Sequence, residues 1–392
     1  MLLLLIRIRK VLRIYILRAI NTMNDLGSIA FIWFDIRKTS KKYKRDKLII
    51  FVADKYITRM DRLAYGLDYL GFNIILLCKK SRYFGSFYNE IIEYRSPWKA
   101  VWIIKRLNAS VIHTFSNWNF DTSYAIIRSK LSNTKVVLDN YDVLSGLVKK
   151  DFLTTNFPMQ QEKEKYCMEN ADGLCCRSLE SQYAKRELNF KFKGKRIFFP
   201  EYVWELPIDS NNERDRFENT IVYIGNLSKS IFELAKILKE FNWDLHAYCA
   251  FNISILKNNS YSNLKIFGPV KPKEIIKVLR KYKYGIQLPS VLLNSHLFTK
   301  YKYFYAAAGK IFDYIEAGLK VFISDELFQK WILCRYGHAI KLEEADALDD
   351  IKKKIINFDA FNKVLIDQSI VDKSSITIKK QVERLRRFYL SI

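Results

Sequence analysis

The chain has 392 residues, 49% of them apolar and 27% charged, enough to bury two cores of ordinary domain size and too many for one. Its formal net charge of +25 calls for a polyanionic neighbour, whether nucleic acid, an anionic membrane or a phosphate-bearing ligand. The six cysteines, Cys78, Cys167, Cys175, Cys176, Cys249 and Cys334, show none of the paired spacings of zinc or redox sites and read as buried thiols in a reducing compartment.

The opening "MLLLLIRIRKVLRIYILRAI" interleaves apolar residues with Arg7, Arg9, Lys10, Arg13 and Arg18. It lacks the run of ~20 apolar residues that a bilayer-spanning helix needs. Its charges follow the apolar start, with no small-residue cleavage site, which is the reverse of a secretory signal. Residues 1–45 therefore read as a basic amphipathic element suited to an anionic leaflet, with cytoplasmic placement at the inner face of the plasma membrane expected. A disordered terminus, or one packed on the first domain, is the competing reading.

From Lys47 the pattern changes to short β-rich runs separated by helical periodicity, the signature of parallel-sheet α/β units. "KLIIFVA", "NIILLC", "VIHTF", "KVVLDN", "GLCCRS" and "RIFFP" read as six strands. Ile57, Met60, Leu63, Ala64, Leu67 and Leu70 mark a helix between the first two, and Gly71 its stop. Residues 46–200 form one domain. "EYVWELPIDSNNERDRFEN", residues 201–219, turns polar and aperiodic, as a linker does. A second set follows in residues 220–370, with strands "TIVYIG", "DLHAYC", "LKIFG", "YGIQLP" and "KVFIS" and helical spacing in "SIFELAKILKEF" and "KEIIKVLRKY". Residues 371–392 end in a basic helix. The fold class is α/β, with two Rossmann-like parallel-sheet domains facing across a cleft, and such sheets bind ligands beyond the carboxyl ends of their strands.

In "AAAGKIFDYIEAGLKVFIS", Ile311, Phe312 and Ile315 suit a short helix, Gly318 its C-terminal stop and "KVFIS" a buried strand. Asp313 then lies in the first turns. A carboxylate there accepts the two hydroxyls of a ribose, while backbone N–H groups at the helix start, with Lys310, face a phosphate. The plainer readings are a helix-start charge for Asp313 and a solvated lysine for Lys310.

This segment resembles the donor-binding motif of the glycosyl transferases group 1 family, which has the GT-B fold: an acidic residue, here Asp313, five before the glycine of "AG", then a buried strand. "TIVYIGNLSKS" is similar to the family's strand and loop opening the donor domain, and "LKIFGPVKPKEIIKVLRKYKYGIQLPS" to its following strand, helix and strand. The likeness spans Lys47 to Leu342. Where the family often has a second Glu, an Arg and a Lys, this chain has Tyr305, Asn226 and Ile231. The resemblance implies a glycosyltransferase with a nucleotide sugar as substrate and no other cofactor, retaining the anomeric configuration and acting on a glycan or lipid-linked acceptor. Asp313 would bind the ribose, and Lys229, Lys310 and the backbone at Gly225 and Asn226 the diphosphate.

In the first domain, "VIHTFSNWNFD" places His113 at an expected strand end facing the transferred sugar, and "VVLDNYDVLSG" places Asp142 where it accepts a proton or an acceptor hydroxyl. A satisfied structural histidine and a turn or capping aspartate are the alternatives. Arg59 reads as a surface helix residue. No Walker loop, ligand cluster, Gly-x-Ser-x-Gly elbow or Asp-x-Asp pair occurs, so transfer without a metal is the expectation, with the leaving charge met by lysines and a helix start. A nucleotide-sugar epimerase of similar build and a basic nucleic-acid-binding protein are the other readings. The latter is opposed by the lack of an RNA-recognition or helix-turn-helix pattern, and no nucleic-acid partner is expected.

Overall fold

The computed structural model describes residues 39, 41–55, 57–79, 87–116, 118–147, 157–204, 216–227, 229–250, 261–287, 305, 309–324, 338–342 and 373–392. Most of the expected N-terminal element, residues 1–45, lies outside the described residues.

The first domain opens on β1 (Leu48–Ala53), whose six residues are at most 1% exposed, as a strand covered on both faces requires. α1 (Thr58–Tyr69) turns the stripe Met60, Leu63, Ala64 and Leu67 into the core. There follow β2 (Asn73–Cys78), β3 (Glu90–Glu93), α2 (Pro97–Leu107), β4 (Val111–Ser116), α3 (Asp121–Arg128), β5 (Lys135–Asn140), α4 (Leu144–Leu147), α5 (Phe157–Asn170), β6 (Gly173–Cys176), α6 (Glu180–Glu187) and β7 (Lys195–Phe198). The seven strands run parallel in the order β3-β2-β1-β4-β5-β6-β7. Cys175 and Cys176, adjacent on β6, enter the cores on opposite faces of this sheet.

The second domain contains β8 (Phe217–Asn226), α7 (Lys229–Glu240), β9 (Asp244–Ala250), β10 (Leu264–Phe267), α8 (Pro272–Leu279), β11 (Tyr282–Gln287), α9 (Lys310–Ala317), β12 (Lys320–Ser324) and β13 (His338–Leu342). These strands are also parallel, in the order β10-β9-β8-β11-β12-β13. The strand order reverses between β1 and β4 in one sheet and between β8 and β11 in the other, and open sheets of this kind take ligands beyond the carboxyl ends at such points.

α10 (Ile378–Ser391) follows the second domain in the chain but belongs to the core of the first. Ile378, Val382, Leu385, Phe388 and Tyr389 are buried, and a Cβ on Gly66 of α1 would lie 2.8 Å from Ile378 Cγ1. The chain therefore crosses between the domains twice. The two crossings run side by side: Val203 N donates to Ile376 O at 3.0 Å and Ile378 N to Val203 O at 2.9 Å. The expected linker is thus buried at its start, from Glu201 to Trp204, and its end is already strand from Phe217. Among the described residues no helix is long and apolar enough to cross a membrane.

Candidate active site

α9 is fastened over the strand-order reversal of the second sheet. Gly318, at φ 72 and ψ 32, closes the helix in the left-handed conformation that glycine tolerates. Tyr314 Oη accepts from Ile224 N and donates to Ile286 O, both at 3.1 Å, which ties the helix to the carboxyl ends of β8 and β11. At the helix start, Lys310 Nζ donates to Ile224 O at 2.9 Å and lies 4.4 Å from the centroid of the Tyr223 ring. Gly225, at φ 152, leaves the space beside it, since a Cβ there would meet Tyr223 Oη at 2.5 Å and Lys310 Nζ at 3.3 Å. Asn226 ends β8 and Lys229 opens α7. Asp313, Lys310, Gly225, Asn226 and Lys229 are therefore gathered at one carboxyl edge.

Asp313 also meets the other domain. Arg62 of α1 donates through Nη2 to Asp313 Oδ1 and through Nη1 to Glu201 Oε2 at 2.8 Å. The Arg62 side chain is 3% exposed and that of Asp313 is 16% exposed. Burial pushes the Asp313 carboxyl up to about 6, the Arg62 guanidinium opposing and nearby Glu201 adding to the rise. Glu316, one turn further on, accepts from Trp204 N at 3.0 Å. Across the cleft from Gly309 stand Glu201 and Tyr141, whose Oε1 and Oη would lie 3.1 and 3.6 Å from a Cβ at Gly309.

The first-domain candidates sit differently from expectation. His113 is the third residue of β4 rather than its end, because the strand continues to Ser116. It is fully buried, its Nδ1 2.5 Å from Tyr389 Oη and its Nε2 3.5 Å from Asp139 Oδ2. Burial lowers its pKa below the usual value against the pull of Asp139. Arg59, expected on the surface, is buried as well, donating to Asp139 Oδ2 at 2.7 Å, Phe199 O at 2.6 Å and Cys175 Sγ at 3.4 Å. Burial alone would raise Asp139, yet Arg59 holds it below the usual carboxylate range. His113, Asp139 and Cys175 bring ligand-type atoms within 4.8 Å of one another, but the positive charge among them is already that of the Arg59 guanidinium.

Asp142 lies two residues past β5, half-buried, and accepts from Arg177 Nη2 at 2.7 Å. The same guanidinium stacks 3.8 Å from the centroid of the Tyr141 ring, and behind it burial pushes Glu180 up to about 7 against the pull of Arg177. Tyr305 is drawn to the first domain: its carbonyl accepts from Ser178 Oγ at 2.5 Å and Leu179 N at 3.1 Å. Arg62, Glu201, Tyr141 and Arg177 were not singled out from the sequence.

No family model matches the chain, and no curated protein matches it in sequence. In structure it is similar to WaaG, a glycosyltransferase involved in lipopolysaccharide biosynthesis, with a TM-score of 0.59 and 12% identity over 86% of this chain and 99% of that one. It is also similar to the lipopolysaccharide outer core galactosyltransferase WaaB, with a TM-score of 0.52 and 10% identity over 88% of this chain and 99% of that one. A UDP-GlcNAc 2-epimerase from Neisseria meningitidis, bound to UDP-GlcNAc, follows at 0.50 and 9% over 88% of this chain and all 100% of that one. The chain has the GT-B fold.

Proposed function

We propose that the chain is a nucleotide-sugar-dependent glycosyltransferase, moving a sugar from a nucleoside diphosphate to a glycan or lipid-linked acceptor in the synthesis of a surface polysaccharide. The observation that carries this reading is α9, anchored by Tyr314 over the reversal of the second sheet with Asp313 and Lys310 at its start. Asp313 accepts the ribose hydroxyls. Lys310, Lys229 and the backbone at Gly225 and Asn226 meet the diphosphate, whose charge grows as the sugar leaves. Asp142 and Arg177 form the polar rim on the acceptor side, and Tyr141 faces Gly309 between the two. His113, being walled in by Tyr389 and Phe115, positions the sheet beneath the acceptor side and does not touch the sugar. Retention of configuration and independence of a metal are carried over from the family resemblance.

Thermal-shift and calorimetric titration with uridine, guanosine, adenosine and thymidine diphosphates, each with a matching nucleotide sugar, tests the reading. At a hundred times its Kd a ligand stabilises by about 2.7 kcal/mol, and one of the four is expected to do so. Stabilisation by none of them removes the proposal. The epimerase reading is favoured by the fold neighbour that binds UDP-GlcNAc, and the products separate the two: an epimerised nucleotide sugar without acceptor for one, transfer to acceptor with release of the diphosphate for the other.

A further inference from the structure

Asp313 is set among charges from three parts of the chain. Arg62 comes from α1 of the first domain and Glu201 from the first crossing, while Tyr314 and Glu316 stand beside it on α9. Arg62 divides its guanidinium between the two acids, one N–H group to Glu201 and one to Asp313 Oδ1. Each acid thus takes one charge-assisted N–H···O bond, which favours its ionised form and engages one oxygen, Oδ1, of Asp313. We propose that Arg62, supplied by the opposite domain, is the positioning residue of the ribose site: it holds Asp313 ionised and turned so that its remaining lone pairs face the cleft. The inference rests on Asp313 as the ribose ligand.

The physical need is plain from the surroundings. A carboxyl this buried, with Glu201 close by, tends to keep its proton. A protonated carboxyl offers fewer acceptor sites for the two hydroxyls of a ribose. Arg62 opposes that protonation and Glu201 promotes it, so the two neighbours on one joint act on Asp313 in opposite senses. A simple strut between domains has no such sign.

The test uses the full chain, the tightest-binding diphosphate among those of uridine, guanosine, adenosine and thymidine, and its analogue lacking both ribose hydroxyls. Affinity for each is measured by calorimetry as a function of pH. The wild type is expected to prefer the ribose form, the preference fading as pH falls through about 6. Arg62→Met should move that midpoint up; a rise of about one unit leaves about half of the Asp313 carboxyls ionised at pH 7 and cuts the preference there about twofold. Glu201→Gln should move the midpoint down. Both variants shifting the same way, or neither shifting, overturns the proposal and leaves Arg62 a strut. If Arg62→Met does not fold, Arg62→Lys is read in its place: it keeps the charge and loses the divided guanidinium, so the midpoint should stay while the ribose preference falls, and retention of both overturns the idea. A wild type that binds a diphosphate without preferring the ribose form removes Asp313 from the ribose, and this inference with it, while leaving the transferase standing; a wild type that binds none removes both.

Discussion

Asp313 closes a bridge to Arg62 of the first domain and is the proposed ribose ligand, so its replacement is read by binding. Asp313→Ala is expected to weaken nucleoside diphosphate binding by ~1–3 kcal/mol, the cost of a lost hydrogen bond to a charged group, measured by calorimetry; full affinity would take Asp313 out of the site. Lys310→Met and Lys229→Met should each lower turnover more than stability, because their charge is wanted as the diphosphate departs. Unchanged kcat in both leaves the backbone N–H groups to hold the phosphate. Tyr389→Phe strips His113 Nδ1 of its partner in a fully buried setting, and chemical denaturation should register a loss of ~1–3 kcal/mol. Asp313 was legible in the sequence because the spacing that marks it, to Gly318, is local. Arg62 was not, since its partner lies 251 residues away and no local spacing encodes a meeting of that kind.

At the scale of elements, the strands easiest to read were those buried on both faces. β1, β2, β4 and β5 are apolar runs, and the residues expected in them are there. The edges escaped. β3 is "EIIE", alternating half-buried and exposed positions over four residues, and β13 is the short "HAIKL"; neither carries a run that separates it from a loop. α10 was legible as a helix but not as part of the first domain, because an amphipathic stripe says that a face is covered without saying by what. The same blindness hid the setting of His113, whose closest polar partner comes from that helix. Gly66→Val tests the contact: with Ile378 and Val382 already at 2.8 and 3.0 Å from where its Cβ would stand, overpacking should cost ~1–3 kcal/mol in a denaturation titration.

At the scale of the whole molecule, charge and connectivity matter most. Residues 1–50 hold twelve Lys/Arg against three Asp, and a transferase using a lipid-linked acceptor must meet it at a surface. Apolar insertion and attraction to anionic headgroups should act together. The purified chain is therefore expected to sediment with vesicles containing anionic lipid, to be released as salt rises, and to lose most of this binding when residues 1–45 are deleted. Equal, salt-insensitive binding to neutral vesicles would leave only the apolar part. The paired crossings at Val203 and Ile378 bear on how the protein is born. Domains ordinarily fold in the order they leave the ribosome, at ~5–20 residues per second. Here the leading domain emerges with the groove over α1 still open, and Ile378 and Val382, which pack against Gly66 of that helix, are translated only after the whole of the second domain. The domain made last can finish first, while its elder sibling waits as a nascent intermediate with exposed apolar surface, the form of the chain most in need of a chaperone.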